Sequence, residues 1–293
     1  MEVETPLLSA DTVVDTRLDP LPAQLLTDPR RPSEGEQMWL QTSPEFAMKR
    51  LVAAGATAIY QVCKAFRVGE QGELHNPEFT LVEWYRAGDD YEAGMRLLSD
   101  VSEALLHRGP AERMTYGDAF EKCAGERPHE LTPPSAAEIA ADRDVSLPDD
   151  PENFPLHAWI DLLFTALVQP QLGRGSPVIL YDFPADQAAL ARIRSGRPPV
   201  AERFELLVDG VELANGYHEL LDAKELRRRQ REANAARLAD GRYRLPEESR
   251  LLAAMEEGLP ACCGCALGFD RAVMVATGAK RLDSVMAFPI DRA

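Results

Sequence analysis

Three stretches carry side chains whose types and spacing could do chemistry. In IYQVCKAFRVGEQGELHNPEFTLVEWYR, Ile59 to Arg86, alternation puts Ile59, Gln61, Cys63, Ala65 and Arg67 on one face of a strand. Phe79, Leu81, Glu83 and Tyr85 share one face of a second strand. An antiparallel pair of this kind can aim an arginine, a glutamate and a tyrosine into one cleft. The polar loop from Val68 to Pro77 suits a mobile cover over a ligand. On spacing alone, an ordinary hairpin with a solvated tip explains the pattern as well.

The second stretch, FELLVDGVE, reads as a hairpin turning at Asp209-Gly210. A two-residue turn sets Val208 against Val211, Leu207 against Glu212 and Glu205 against Ala214. Glu205 and Glu212 become diagonal neighbours on one face, about 7–8 Å apart. Two such carboxylates repel unless something positive lies between them. Mg²⁺ with nucleotide phosphates fits, since it takes one or two carboxylates plus phosphate oxygens; a solvated pair on an open sheet face fits the bare spacing too. The third stretch, ELANGYHEL, follows directly. Seven residues separate Glu212 from Glu219, which a straight strand would place on opposite faces. A bulge at Asn215-Gly216 would re-phase the strand and return Glu219 to the cleft. Cys262, Cys263 and Cys265 form a thiol cluster without the second cysteine or histidine group that a zinc site needs.

The elements that must position these groups are legible in part. Leu7 to Glu36 is polar and proline-rich and reads as loop, with a short strand at Trp39 to Gln41. Ser43 as N-cap and Pro44 in the first turn open a helix that Gly55 stops. Tyr91 to Leu172 reads as mostly helical, with loops around one short helix between Pro128 and Pro155. Val178 to Tyr181 is a buried strand, and Asp182 to Ala191 runs from loop into helix. Leu220 to Asp240 is a charged helix, Pro246 to Met255 leads into another, and Arg271 opens a last helix ending at Gly278.

At 293 residues and 45% hydrophobic, the chain can bury a sizeable core. No apolar run reaches the roughly 20 residues needed to span a bilayer, and the start lacks a signal-peptide pattern. Five cysteines without framework spacing suit reduced thiols in a cytoplasmic protein. A net charge of −16 disfavours a phosphate backbone as main partner and favours a basic protein.

Phe66-Arg67, His75-Asn76-Pro77-Glu78-Phe79-Thr80, Glu83 and Tyr85 together resemble motif 2 of class II aminoacyl-tRNA synthetases of the lysine-handling branch. The ending VEWYR is most similar to the short paralogues that attach a lysine to elongation factor P. Glu2-Val3-Glu4-Thr5-Pro6 resembles the end of motif 1, and Gly264 to Arg271 resembles motif 3. The resemblance implies an α/β (α+β) class II synthetase fold, an antiparallel sheet flanked by helices, as a single catalytic domain over residues 1–293. The motif 1 helix and the anticodon-binding barrel of tRNA-charging relatives are missing from this sequence, which makes tRNA the less favoured acceptor.

The same resemblance implies the site. Arg67 and Arg271 would be catalytic, with Arg67 on the α-phosphate of ATP and Arg271 stacked on adenine opposite Phe79. Glu70, His75, Asn76, Glu212, Leu213 and Gly268 would complete the ATP site. Glu70 stands one place from the usual motif 2 glutamate. Ser43, Pro44, Glu45, Glu83, Tyr85, Asn215, Tyr217, Glu219 and Ala266 would bind the amino acid, Glu45 taking its α-ammonium and Glu219 its side-chain ammonium. Glu205 and Glu212 would hold Mg²⁺. Ala266 replaces the glycine of tRNA-charging enzymes. Implied partners are a lysine isomer, elongation factor P as acceptor, and a second copy in a homodimer.

Overall fold

A computed structural model describes residues 1–293. In chain order the strands are β1 (Leu8–Ser9), β2 (Leu21–Leu25), β3 (Glu36–Leu40), β4 (Ala58–Phe66), β5 (Glu78–Ala87), β6 (Glu112–Thr115), β7 (Val178–Pro184), β8 (Ile193–Arg194), β9 (Val200–Val208), β10 (Val211–His218) and β11 (Cys262–Gly268). The α-helices are α1 (Glu45–Ala53), α2 (Tyr91–Leu106), α3 (Tyr116–Ala124), α4 (Pro133–Asp142), α5 (Leu156–Leu163), α6 (Ala223–Ala239), α7 (Arg250–Gly258) and α8 (Phe269–Thr277). They fall into two compact units, Met1–Gly94 with His218–Ala293, and Met95–Tyr217. No helix is long and apolar enough to cross a membrane.

The first unit is built on β4, β5 and β11, all antiparallel. Alternation is the reason β4 forms: Ile59, Gln61 and Ala65 are buried while Ala58, Tyr60, Val62 and Lys64 face outward. Its register sets Ile59 opposite Tyr85, Gln61 opposite Glu83 and Ala65 opposite Phe79, so the two expected faces coincide. Helix α1 packs on β5 and α7, and α8 packs on β5. Met48 and Val52 of α1 and Leu252 of α7 lose all contact with solvent, each worth about 1.5–3 kcal/mol of burial. Gly278 closes α8 in the left-handed conformation, φ 71°, which favours glycine over any residue with a Cβ.

The second unit orders its strands β10-β9-β7-β6, with β8 on β9. Every pairing is antiparallel except β6 with β7. Helices α3, α4 and α5 supply Phe120, Ala136, Trp159 and Leu163 to its core. Tyr116 stacks on Phe164 at 4.9 Å, between ring centroids. The Thr115 hydroxyl accepts from Asp118 N and starts α3, as an N-cap does.

Several elements differ from the sequence expectation. Leu7 to Glu36 is not plain loop: β1 and β2 flank β3 in a three-stranded sheet. Pro22 lies within β2 opposite Trp39, and proline is tolerated there because β2 is an edge strand. The short strand expected at Trp39 to Gln41 is β3, Glu36–Leu40. Helix α1 starts at Glu45 with Pro44 as N-cap, and the Ser43 hydroxyl accepts from Glu45 N at 3.2 Å. Asp182 to Ala191 makes one 3-10 turn, Ala185–Gln187, and no α-helix, because the strand runs on through Pro184. Helix α8 begins at Phe269, two residues before Arg271. Residues 133–142 form the one helix expected between Pro128 and Pro155.

Candidate active site

In the first unit, α1, β5, β11 and the segment after β10 bring buried charges together. Glu45 is held in the first turn of α1, Glu83 on the buried face of β5, and Glu219 by its backbone N–H on Cys262 O at 3.1 Å. Lys49, one helical turn beyond Glu45, ion-pairs with Glu45 and with Glu219, the latter at 2.5 Å. Burial opposes the Lys49 charge, but the Glu219 and Glu45 carboxylates outweigh it and hold the ammonium above its ordinary range.

Glu83 is treated differently. Tyr85 Oη donates to Glu83 Oε1 at 2.8 Å, while Glu83 Oε2 has no hydrogen-bond partner. Burial first, then the neighbouring Glu45, push its carboxyl up to about 8. Gln61 Oε1, across the strand pair, is likewise buried without a partner. Ala266 stands opposite Glu83 in the β5–β11 ladder. A methyl group at Gly264 would meet Tyr85 Cε1 at 2.2 Å and Glu219 Oε1 at 2.6 Å. Glycine is therefore required for Tyr85 and Glu219 to lie where they do.

Arg67 and Arg271 belong to the same unit. The Arg67 guanidinium lies 4.9 Å over the Phe79 ring and 3.6 Å from Glu70 Oε1. Arg271 donates to Leu74 O at 3.1 Å and its Nη2 lies 2.7 Å from His75 Nε2. Phe79, expected to flank adenine, carries the Arg67 guanidinium on its ring. Asn76 is engaged structurally, its Nδ2 donating to Glu78 O at 2.6 Å and its Oδ1 accepting from Ile290 N at 2.9 Å. The loop expected to be a mobile cover is thus tethered to the C-terminal segment, also by Leu282 N on Glu73 O and Gln71 on Asp291. Gly268 is the N-cap of α8, with an ordinary φ of −72°.

The second unit holds Glu205, Glu212, Leu213, Asn215 and Tyr217. Val208 pairs with Val211 and Leu207 with Glu212, as the turn requires, but the register then shifts between Glu212 and Ala214. The bulge therefore sits at Leu213, not at Asn215-Gly216, and Glu205 pairs with Asn215 rather than Ala214. Leu213 is 2% exposed, and as the extra residue of the bulge it re-phases the strand beyond it. The consequence is that Glu212, Asn215 and Tyr217 share a face with Glu205 and Arg203.

Arg203 was not singled out from the sequence, although its i, i+2 spacing from Glu205 was a signal. Its guanidinium bonds Glu205 Oε1 at 2.5 Å, Asn215 Oδ1 at 3.2 Å and Gln187 O at 3.0 Å. It also lies 4.7 Å over the Phe183 ring. Burial disfavours its charge, yet Glu205 holds its pKa above the ordinary value. No group of three His, Cys, Asp or Glu side chains able to hold a metal occurs in the chain. Glu205 and Glu212 could thus complete a Mg²⁺ site only with phosphate oxygens, the donor set that this hard ion favours. Lys49 was missed as well; its signal was the i, i+4 spacing from Glu45 on one helix face.

The family described as tRNA synthetases class II (D, K and N) matches residues 1–292. The elongation factor P–(R)-beta-lysine ligase of Vibrio cholerae is 44% identical over 293 residues, covering 100% of this chain and 90% of that protein. The proteins of the same name from Salmonella arizonae and Klebsiella pneumoniae are each 43% identical over 293 residues, with 89% of their lengths covered. This chain belongs to the class II tRNA synthetase family of the D, K and N type, and within it to the family of the elongation factor P–(R)-beta-lysine ligases.

Proposed function

We propose that this chain activates (R)-β-lysine, or lysine itself, with ATP as an aminoacyl-adenylate and passes the acyl group to a lysine amine of elongation factor P. The single structural observation that carries the reading is the cluster of Glu45, Glu83 and Glu219, three carboxylates buried around one resident ammonium. Buried carboxylates in excess of cations make a site for a cationic ligand, because each needs a partner out of water. The names of the relatives supply the isomer and the acceptor.

In this mechanism the amino-acid carboxylate attacks the α-phosphorus of ATP, and pyrophosphate leaves in line. Arg67 would swing from Phe79 to the α-phosphate, and Arg271 would then close on adenine from the side opposite Phe79. Arg67 meets charge that grows as the bond to pyrophosphate breaks, where fixed cations are most effective, while Arg271 holds the nucleotide in place for the attack. Glu205 and Glu212 would hold Mg²⁺, with Arg203 fixing Glu205. When bound, the ion neutralises phosphate charge. Ser43, through its bond to Glu45 N, sets the first turn of α1 and so aims Glu45. The neutral amine of the acceptor then attacks the acyl carbon, the bond to AMP breaks, the amine's proton passes to solvent, and no side-chain nucleophile is needed. Work as a homodimer in the cytoplasm belongs to the same proposal.

The test is pyrophosphate release with ATP, Mg²⁺ and each lysine isomer, followed by intact mass measurement of elongation factor P and assay of bulk tRNA. One lysyl unit on the factor and uncharged tRNA are expected. Arg271→Ala should cut adenylate formation by about 10²-fold, as misplacing a bound reactant does, and Glu212→Gln should raise the Mg²⁺ requirement. Charged tRNA with unmodified factor would overturn the acceptor; unchanged rates in both variants would overturn the site.

A further inference from the structure

We propose that the amino-acid pocket takes up its doubly cationic substrate with release of one proton from Glu83, Lys49 serving as the resident cation that keeps Glu45 and Glu219 paired and leaves Glu83 to the incoming ammonium. The proposal rests on the amino-acid reading above and goes beyond it by giving Lys49 and Glu83 separate tasks.

The geometry separates them. Lys49 reaches Glu45 from the same helix and Glu219 from the segment after β10, so its charge is shared by two carboxylates. Glu83, 2% exposed, receives only the Tyr85 hydroxyl on one oxygen and nothing on the other. A carboxylate in that position, out of water and beside two others, is stable only as the neutral acid until a cation arrives. Two ionised carboxylates and one ammonium leave the ligand-free cluster with a charge of −1. Lysine or β-lysine, with its carboxylate turned to the nucleotide, brings two ammonium groups. One is balanced by that charge, and the second by ionising Glu83: the O–H bond of its carboxyl breaks and the proton passes to buffer.

The other groups that face Glu83 do not supply this proton. Gln61, opposite it on β4, does not titrate. Burial pushes the Cys63 thiol up to about 12 and the Cys265 thiol well above its ordinary range, and Tyr85 is likewise raised, first by burial and then by Glu83. All three stay neutral between pH 6 and 8.5. Glu83, near 8 without ligand, would fall by about 1–3 units beside an ammonium.

Calorimetric titration of the full chain with lysine and with (R)-β-lysine, in phosphate and in Tris at one pH, counts the protons exchanged. Wild type should release about 0.7 proton at pH 7.5, given that fall in pKa, and less toward pH 8.5. Glu83→Gln keeps an acceptor for Tyr85 and should release none; the difference between the two proteins cancels any proton taken up by the ligand's own amines. Infrared spectroscopy of wild type provides an arm independent of the variant's folding: a protonated carboxyl stretch should be present without ligand and vanish on adding it. Binding without proton release by wild type, or a carboxyl band unchanged on binding, overturns the coupling and leaves the amino-acid reading standing. Binding of neither isomer overturns that reading and the coupling with it.

Discussion

Lys49 and Arg237 are the two cations buried in this chain, both in the first unit, and they are partnered in opposite ways. Arg237, on α6, bonds Asp19 Oδ1 at 2.6 Å, Asp15 O at 2.9 Å, Leu18 O at 3.1 Å and Tyr243 O at 3.2 Å, with the Tyr243 ring 5.2 Å beneath it. Its fork of donors gathers the loop before β2 onto α6, and the arrangement is closed. Lys49 satisfies two carboxylates while a third, Glu83, is left with an oxygen that nothing meets. A closed cluster holds a fold together. An open one, with a surplus of negative charge out of water, tolerates its own cost only where a ligand completes it.

The comparison is broken most forcefully at Arg237. Arg237→Met leaves Asp19 and three carbonyls without their donor and should cost about 3 kcal/mol of stability, the lower end for breaking a buried pair because Asp19 is partly exposed. Urea unfolding measures this, and adenylate formation per folded molecule should be unchanged. A loss of adenylate formation at full foldedness would make Arg237 part of the site.

Glu219→Ala should act on substrate as well as on the fold, since it also takes a partner from the buried Lys49. Removing one carboxylate of the pocket should raise KM for the lysine isomer by roughly 30–100-fold, an effect of about 2–3 kcal/mol, with KM for ATP little changed. An equal rise in both would place Glu219 outside the amino-acid pocket.

The third effect is on the pH dependence of stability. Glu83 titrates near 8 in the folded chain against 4.5 when exposed, so between those values the folded chain holds a proton that the unfolded chain has lost. This contribution is complete below about pH 4.5 and is lost as pH rises through about 8. Glu83→Gln should flatten the profile in that window, by on the order of a few kcal/mol. Urea midpoints at pH 5 and pH 8.5 give the comparison; an unchanged difference would mean that Glu83 is ionised throughout.

Local pattern alone determined much of this protein. The alternation of β4 and β5, the Asp209-Gly210 turn and the helix ends at Ser43-Pro44 and Gly278 follow from backbone preferences that act over a few residues. They suffice to place Glu83, Tyr85, Glu205 and Glu212 on strands, and Arg67 just past the end of β4. The bulge at Leu213 was out of reach, because the register of β10 on β9 beyond the turn is set by pairing in the folded sheet. Sheet pairing of β2 was hidden by its prolines, which an edge position excuses and sequence cannot assign. Lys49 and Arg237 read as ordinary helix-surface charges until their partners, 170 and 218 residues distant in sequence, are folded against them. Which buried charge is closed and which is left open is decided once those distant partners join the local ones, since the energy of a buried ion depends on everything within a few ångströms, near or far in sequence.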